Sequence, residues 1–319
     1  MTDYTSQGHP KTVFWWKEPR NEAHGAVCAA VRYLDEIQAY NSALNFHHLR
    51  MYSSYTAQNL NERYGVVTLP LQNTLKLNVI QSVVETATAM IGSNNPRVMN
   101  LTDGGKSKQQ KRAKLLTQLT DAQFYRVHQH QLSERIFRDA CILGTGIQKI
   151  YRQRDREKAK RVFPDDLLCD VREARMGHPR NMFEYREVDR NVLGDLYPKK
   201  RAEIKEAAND IRVHALSHTG LNDMVSVVEA YHLPSGPDAK DGRKIICISN
   251  ATLLDEPWEY SYFPYLEFRW GQRPLYFWGW GLAEQLSGIQ IEINFLMQKI
   301  QRSMTLASSQ IWASAGSII

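Results

Sequence analysis

The feature that most constrains this chain is its last periodic run. From Leu282 the apolar positions Leu286, Ile289, Ile293, Leu296, Ile300 and Met304 follow at intervals of three or four, which predicts one stripe along a helix of about 25 residues, roughly 37 Å long. A second set, Ile291, Phe295 and Met297, lies off that stripe. A helix that is apolar on more than one side must be contacted on more than one side. The run then passes through Ala-Ser-Ser-Gln into IWASAGSII. An apolar ending of this kind is expected of a chain that continues.

Just before this helix the stretch YFPYLEFRWGQRPLYFWGWGLAEQL crowds rings, arginines and glycines together. Trp258, Tyr260, Tyr262, Phe263, Tyr265, Phe268, Trp270, Tyr276, Phe277, Trp278 and Trp280 all fall here. Proteins rarely leave so many rings uncovered. A symmetric assembly, in which copies of the helix pack side by side and the aromatic lead-in wedges between neighbours, would cover both.

The rest of the chain reads as α+β. With 319 residues and 43% hydrophobic content it can bury a sizeable core, as one elaborated domain or two ordinary ones. Helical spacing runs from about Asn21 to Ser54, from Leu75 to Ile91 before GSNNP, and from Ser107 to Leu143 before Gly144. RVMNLT between the last two is a strand candidate. After GTGIQKIYRQ the pattern changes to short β-type runs, KRVF, DLLCD, MFEYREV, MVSVVEAYHL, RKIICIS and YLEFRW, with two short helices near 189–196 and 199–209. No fixed-period repeat is visible. There is neither a secretory signal nor an apolar span of membrane length, so a cytoplasmic site of synthesis and no membrane partner are expected. Cys28, Cys141, Cys169 and Cys247 lack metal or disulfide spacing and are expected to be buried thiols.

Tests for catalytic chemistry come back empty. GGKS at 104–107 resembles a phosphate loop, but the position where that motif needs its first glycine is Asn100. GTG at 144–146 leads from helix to strand, the reverse of a dinucleotide fingerprint. His47 and His48, like His128 and His130, point to different faces of a helix, and Asp165–Asp166 reads as a turn before a strand. No Gly-x-Ser-x-Gly elbow occurs. No enzyme activity, cofactor or metal is expected.

Two basic features remain, within a modest excess of 40 Lys and Arg over 34 Asp and Glu. Lys106, Lys108, Lys111, Arg112 and Lys114 crowd the start of the third helical region, where the helix dipole disfavours cations. Arg152, Arg154, Arg156, Lys158 and Lys160 alternate along a hairpin candidate. Such a face could touch phosphates, or it could simply be a solvated edge that discourages strand pairing.

Several segments, taken in order, resemble the portal proteins of tailed bacteriophages, the head-to-tail connectors, and those of short-tailed phages most. The order strand, Phe-Arg-Trp, Arg-Pro, FWGWG and LAEQLSGIQIEINFLMQKIQRSMTLAS looks like the approach to the family's stem helix, although FWGWG at 277–281 lacks the arginine of the family's Tyr-Gly-Arg-Gly-like turn. DACILGTGIQKIYRQ is similar to the family's helix-to-strand junction. FPDDLLCDVREARMGHPRNMFEYREVDRNVLGDLYP is similar to a wing segment with Pro-Asp, His-Pro-Arg, Val-Asp-Arg and Tyr-Pro in that order. The likeness covers about 75–319.

The resemblance implies a portal fold: a wing region over 1–280 (helical over 21–143, α+β over 144–270, aromatic and glycine-rich over 258–281), a first stem helix over 281–307, and the start of a clip over 308–319. The remaining clip, the second stem helix and the crown would lie beyond. It further implies a dodecameric homo-oligomeric ring at one capsid vertex of the virion, assembled in the host cytoplasm. Double-stranded DNA would pass through without sequence readout during packaging and ejection. Docking partners would be a separate terminase ATPase, the major capsid protein and adaptor or tail proteins. Lys299 and Arg302 are the candidates for the DNA channel. Arg269, Trp270, Phe277, Trp278, Trp280, Leu286, Ile289, Ile293, Phe295, Leu296 and Ile300 are the candidates for holding subunits together or anchoring the stem. The rival reading is a non-ring nucleic-acid-binding α+β protein using the two basic clusters.

Overall fold

The computed structural model describes residues 14–53, 77–92, 94, 96–153, 156–175, 179–209, 211 and 223–307. In chain order the elements are α1 (Ala23–Tyr52), α2 (Val79–Gly92), α3 (Ser107–Arg126), α4 (Gln129–Leu143), β1 (Thr145–Gln153), β2 (Arg156–Val162), β3 (Leu167–Cys169), α5 (Val171–Arg175), β4 (Asn181–Asp189), α6 (Arg190–Leu196), α7 (Arg201–Glu206), β5 (Met224–His232), β6 (Arg243–Cys247), β7 (Thr252–Pro257), β8 (Tyr265–Arg269) and α8 (Leu282–Ala307). The class is α+β, with a three-stranded sheet ordered β2-β1-β8 and a five-stranded sheet ordered β3-β4-β5-β6-β7, both antiparallel.

α1 is about 45 Å long and ties two regions together. Its first half presents Val27, Val31 and Leu34 at helical spacing to Phe183, Val228 and Ile245 of the five-stranded sheet. Midway, Gln38 donates to the Cys169 carbonyl at 2.7 Å and Asn45 to Asp165 Oδ1 at 2.8 Å. Its end, at Met51, joins Ile80, Val84, Leu143 and Ala283 in a core built by helices. The other face of the five-stranded sheet is covered by α6 and α7 through Leu193 and Ile204. Asp189 caps α6 by accepting from Asn191 N at 2.9 Å and Val192 N at 3.2 Å, the usual work of Asp at that position.

The two sheets meet over an ionic cluster. Glu184 on β4 and Glu229 on β5 stand directly opposite each other, a destabilising arrangement taken alone. The buried Lys149 of β1 reaches across from the other sheet to both, at 2.5 Å and 2.6 Å. Tyr265 donates to Glu184 at 2.9 Å, Tyr231 donates to Glu229 at 2.5 Å, and Lys160 pairs with Glu184. Burial by itself would raise the Glu229 carboxyl, but Lys149, Arg186 and Lys244 outweigh it and hold the group down at about 2.

Four expectations change. Residues 97–102 form no strand; they lie along α3, with Asn100 N donating to Thr117 Oγ1 at 3.0 Å. The third helical region breaks in two at His128, which adopts a left-handed conformation (φ 52°). β7 joins the five-stranded sheet although no strand is expected there. The basic hairpin does not present one cationic face: across β1 and β2, Arg152 pairs with Glu157 and so points away from the face carrying Lys158 and Lys160, and Lys160 is spent on Glu184. Arg154 lies outside the described residues. The four cysteines are free and buried, as expected.

The ionic cluster sets an acid limb. Because the Glu229 carboxyl is depressed from 4.5, its contribution is complete above about pH 4.5 and is lost as pH falls towards 2. Thermal midpoints measured across that window should fall with decreasing pH. Lys149→Met should cost about 3–5 kcal/mol by denaturant titration, since it strands two buried carboxylates; a cost below about 1 kcal/mol would show the cluster to be dispensable.

Candidate functional site

The direction of α8 is set by two glycine turns that interlock. Gly144 ends α4 in a left-handed conformation (φ 86°), donating to the Ala140 carbonyl at 2.9 Å. Its own carbonyl accepts from Trp270 N at 3.1 Å, and the neighbouring Thr145 Oγ1 accepts from Gly279 N at 2.9 Å. Gly271 and Trp280 exchange both backbone hydrogen bonds, at 3.1 and 2.9 Å. A Cβ at Gly144 would stand 2.5 Å from the Gly279 carbonyl oxygen, and one at Gly281 would stand 2.6 Å from that of Cys141. Backbone therefore meets backbone where any side chain would intervene. α8 begins at the next residue, so its angle to α4 is fixed at the root. Arg273 reinforces the turn by donating from Nη2 to both carboxylate oxygens of Glu284 of α8.

The aromatic lead-in divides between this root and the chain's own core. Phe277 and Trp278 are buried with Ile147, Met182 and Tyr231, between the two sheets. Both rings are thus enclosed by their own chain at the root of α8, a place compatible with anchoring that helix. Arg269 donates through Nε to the Phe277 carbonyl at 2.7 Å, with its guanidinium over the Phe277 ring at 4.8 Å. Trp270 packs edge-on against Phe137, and Trp280 lies over Gly271.

Beyond its root, α8 is buried on its polar side. Gln290 is buried; its Oε1 accepts from Val79 N at 2.7 Å and Ile80 N at 3.2 Å, and its Nε2 donates to the Leu77 carbonyl. One turn on, Asn294 Oδ1 accepts from Leu77 N at 2.9 Å. These carboxamides satisfy the unpaired N–H groups at the start of α2. The apolar stripe sits about a quarter of the way round the helix from this contact. Leu286 and Ile293 are half-buried, whereas Ile289 is 55% exposed, Leu296 49%, Ile300 51% and Met304 68%. Of the second set, Phe295 and Ile291 are about equally exposed. The stripe is legible in the sequence; the two amides that dock the helix are not, because Gln and Asn on a helix ordinarily read as surface.

Lys299 is exposed, its Nζ 4.3 Å from the Phe295 ring centroid one turn earlier. Arg302 is exposed and makes no ion pair among the described residues. The two therefore share the outer half of α8 with the bare stripe. Among the described residues no three His, Cys, Asp or Glu gather to hold a metal ion, and no helix is long and apolar enough to cross a membrane. No family model matches the chain, and no curated protein matches it.

Gln290→Ala should leave the N–H groups of Val79 and Ile80 unpaired and cost about 1–3 kcal/mol. Hydrogen exchange at these two amides should quicken selectively; unchanged exchange would mean that the carboxamide does not dock α8 on α2.

Proposed function

We propose that this chain is the ring-forming protomer of a phage portal, in which α8 packs against copies of itself around a pore that passes double-stranded DNA. The observation that carries the reading is the burial of α8 beyond its root: Gln290 and Asn294 dock it on its own chain, while Ile289, Ile291, Phe295, Leu296, Ile300 and Met304 stay about half exposed or more. Half-exposed Ile and Leu side chains each stand to gain on the order of 1 kcal/mol on being covered, and a continuous stripe repeats that gain along the helix. Identical helices arranged cyclically cover one another's faces without any further ligand. The rigid root supports the same reading, since a helix contributing to a closed ring needs one fixed angle to the body of its protomer.

In this reading the pore touches DNA weakly and without base readout, through Lys299 and Arg302. The protein acts as a conduit and docking platform at one capsid vertex of the virion. It is not an enzyme and takes no cofactor. The resemblance supplies the dodecameric number and the partners: a terminase ATPase, the major capsid protein and adaptor or tail proteins.

Native mass measurement and negative-stain imaging of the purified protein test the ring. Closed rings with a central hole are expected. A monomer or dimer with strongly salt-dependent DNA affinity would favour the non-ring nucleic-acid-binding reading instead. Replacing Ile289, Leu296 and Ile300 together by Ser should abolish rings while circular dichroism and thermal midpoint stay near wild type, because exposed substitutions change stability by only about 0.5 kcal/mol. Charge reversal at Lys299 and Arg302 should leave rings intact and reduce DNA packaging or retention; unchanged packaging would remove both residues from the channel.

A further inference from the structure

α3 carries a second unpartnered surface, of different chemistry. Of its 20 residues only Ala113 is buried. Counting round the helix from Ala113, the opposite half carries Lys108, Lys111, Leu115 and Leu119, with Arg112 on the flank next to Leu119 and Lys114 on the other flank. Leu115 is 65% exposed and Leu119 56%. The segment before the helix is held alongside it by the Asn100–Thr117 hydrogen bond and adds Leu101, 85% exposed, and Met99. Between the segment and the helix lies an open cleft of about 330 Å³, lined in part by Leu101, Arg112, Ala113 and Leu116.

None of the side chains of Lys106, Lys108, Lys111, Arg112 and Lys114 makes an ion pair among the described residues. Lys106 and Lys108 stand at the N-cap and in the first turn of the helix, where the helix dipole disfavours cations by a few tenths of a kcal/mol each, and no ion pair among the described residues offsets this. Where local preference is violated without internal compensation, an external partner is the natural compensation. The cations call for anionic groups. The leucines on the same face call for apolar ones, and a phosphate backbone would leave Leu115, Leu119 and Leu101 facing charge.

We infer that this surface, α3 together with residues 97–103, binds an acidic amphipathic helical segment of another protein, its carboxylates on Lys108, Lys111 and Arg112 and its apolar side chains against Leu101, Leu115 and Leu119. This mode is a helix laid against an apolar strip with a charged rim. It is independent of α8 and holds whether or not that helix closes a ring.

The test is fluorescence anisotropy of the intact protein with a labelled model peptide of Glu and Leu at helical spacing. The comparison probes are the same peptide with Ser for Leu, a short DNA duplex, and vesicles containing phosphatidylserine. The Glu/Leu peptide should bind best, with an affinity that falls as salt rises. The Ser peptide should bind at least about tenfold more weakly, and the K108E/R112E and L115S/L119S variants should each lose about tenfold or more for the Glu/Leu peptide. Both variants alter only exposed positions and should keep the wild-type circular dichroism and thermal midpoint. The inference is overturned if the Glu/Leu peptide does not bind, if the duplex or the vesicles bind better and are unaffected by L115S/L119S, or if K108E/R112E changes the native mass, which would make a second copy of this chain the occupant.

Discussion

The close approach of two glycine turns governs this structure. Gly144 and Gly279 meet backbone to backbone, and Gly281 lies against the last turn of α4. Through this contact the start of β1, the end of β8 and the first residue of α8 are held as one junction. Hydrogen bonds from Trp270, Gly279 and Trp280 leave the strand, the turn and the helix little freedom to move separately. The buried rings of Phe277 and Trp278 then fill the space between the two sheets directly beneath the turn. The aromatic stretch before the long helix is thus mainly a foundation.

On that foundation polar and apolar groups exchange their usual places twice. Between the sheets, a lysine and two glutamates occupy a position where aliphatic side chains ordinarily pack. Such a cluster adds little net stability over an apolar core, but it is costly to break. Along α8, Gln290 and Asn294 dock the helix inward while isoleucine, leucine and phenylalanine face outward. A docking contact made of hydrogen bonds specifies a rotation about the helix axis more sharply than an apolar contact would. It is this rotation that leaves the apolar stripe bare.

How much of this was legible in the sequence follows from the kind of signal each element leaves. α1, α2 and α8 keep a clean helical period, and most strands are short β-branched runs between turn residues, so their existence could be read. The break at His128 could not, because no glycine or proline marks it and only the left-handed backbone does. Residues 97–102 looked like a strand by composition but have no strand to pair with, lying instead against α3. β7 ends in Glu-Pro and carries Asp255, which masks a strand that pairs with β6. The rings of the lead-in were visible, but which of them face inward depends on how β1 and β8 pair, a contact distant in sequence. Lys149 is the extreme case: alone it reads as surface, and only the facing carboxylates of a second sheet explain its burial. The bare stripe on α8 was legible, whereas the amides that turn it outward were not.

The account rests on each apolar face of α8 being covered by the other apolar face of a neighbouring copy. The most direct measurement is dipolar electron spin resonance on protein carrying a single nitroxide at position 300. The account predicts an immobilised label and a reproducible set of short distances between copies, absent when labelled protein is diluted with a large excess of denatured, unlabelled chain before refolding. A freely tumbling label with no dipolar coupling at any concentration would show that the stripe stays in water, and the cyclic arrangement would fall with it.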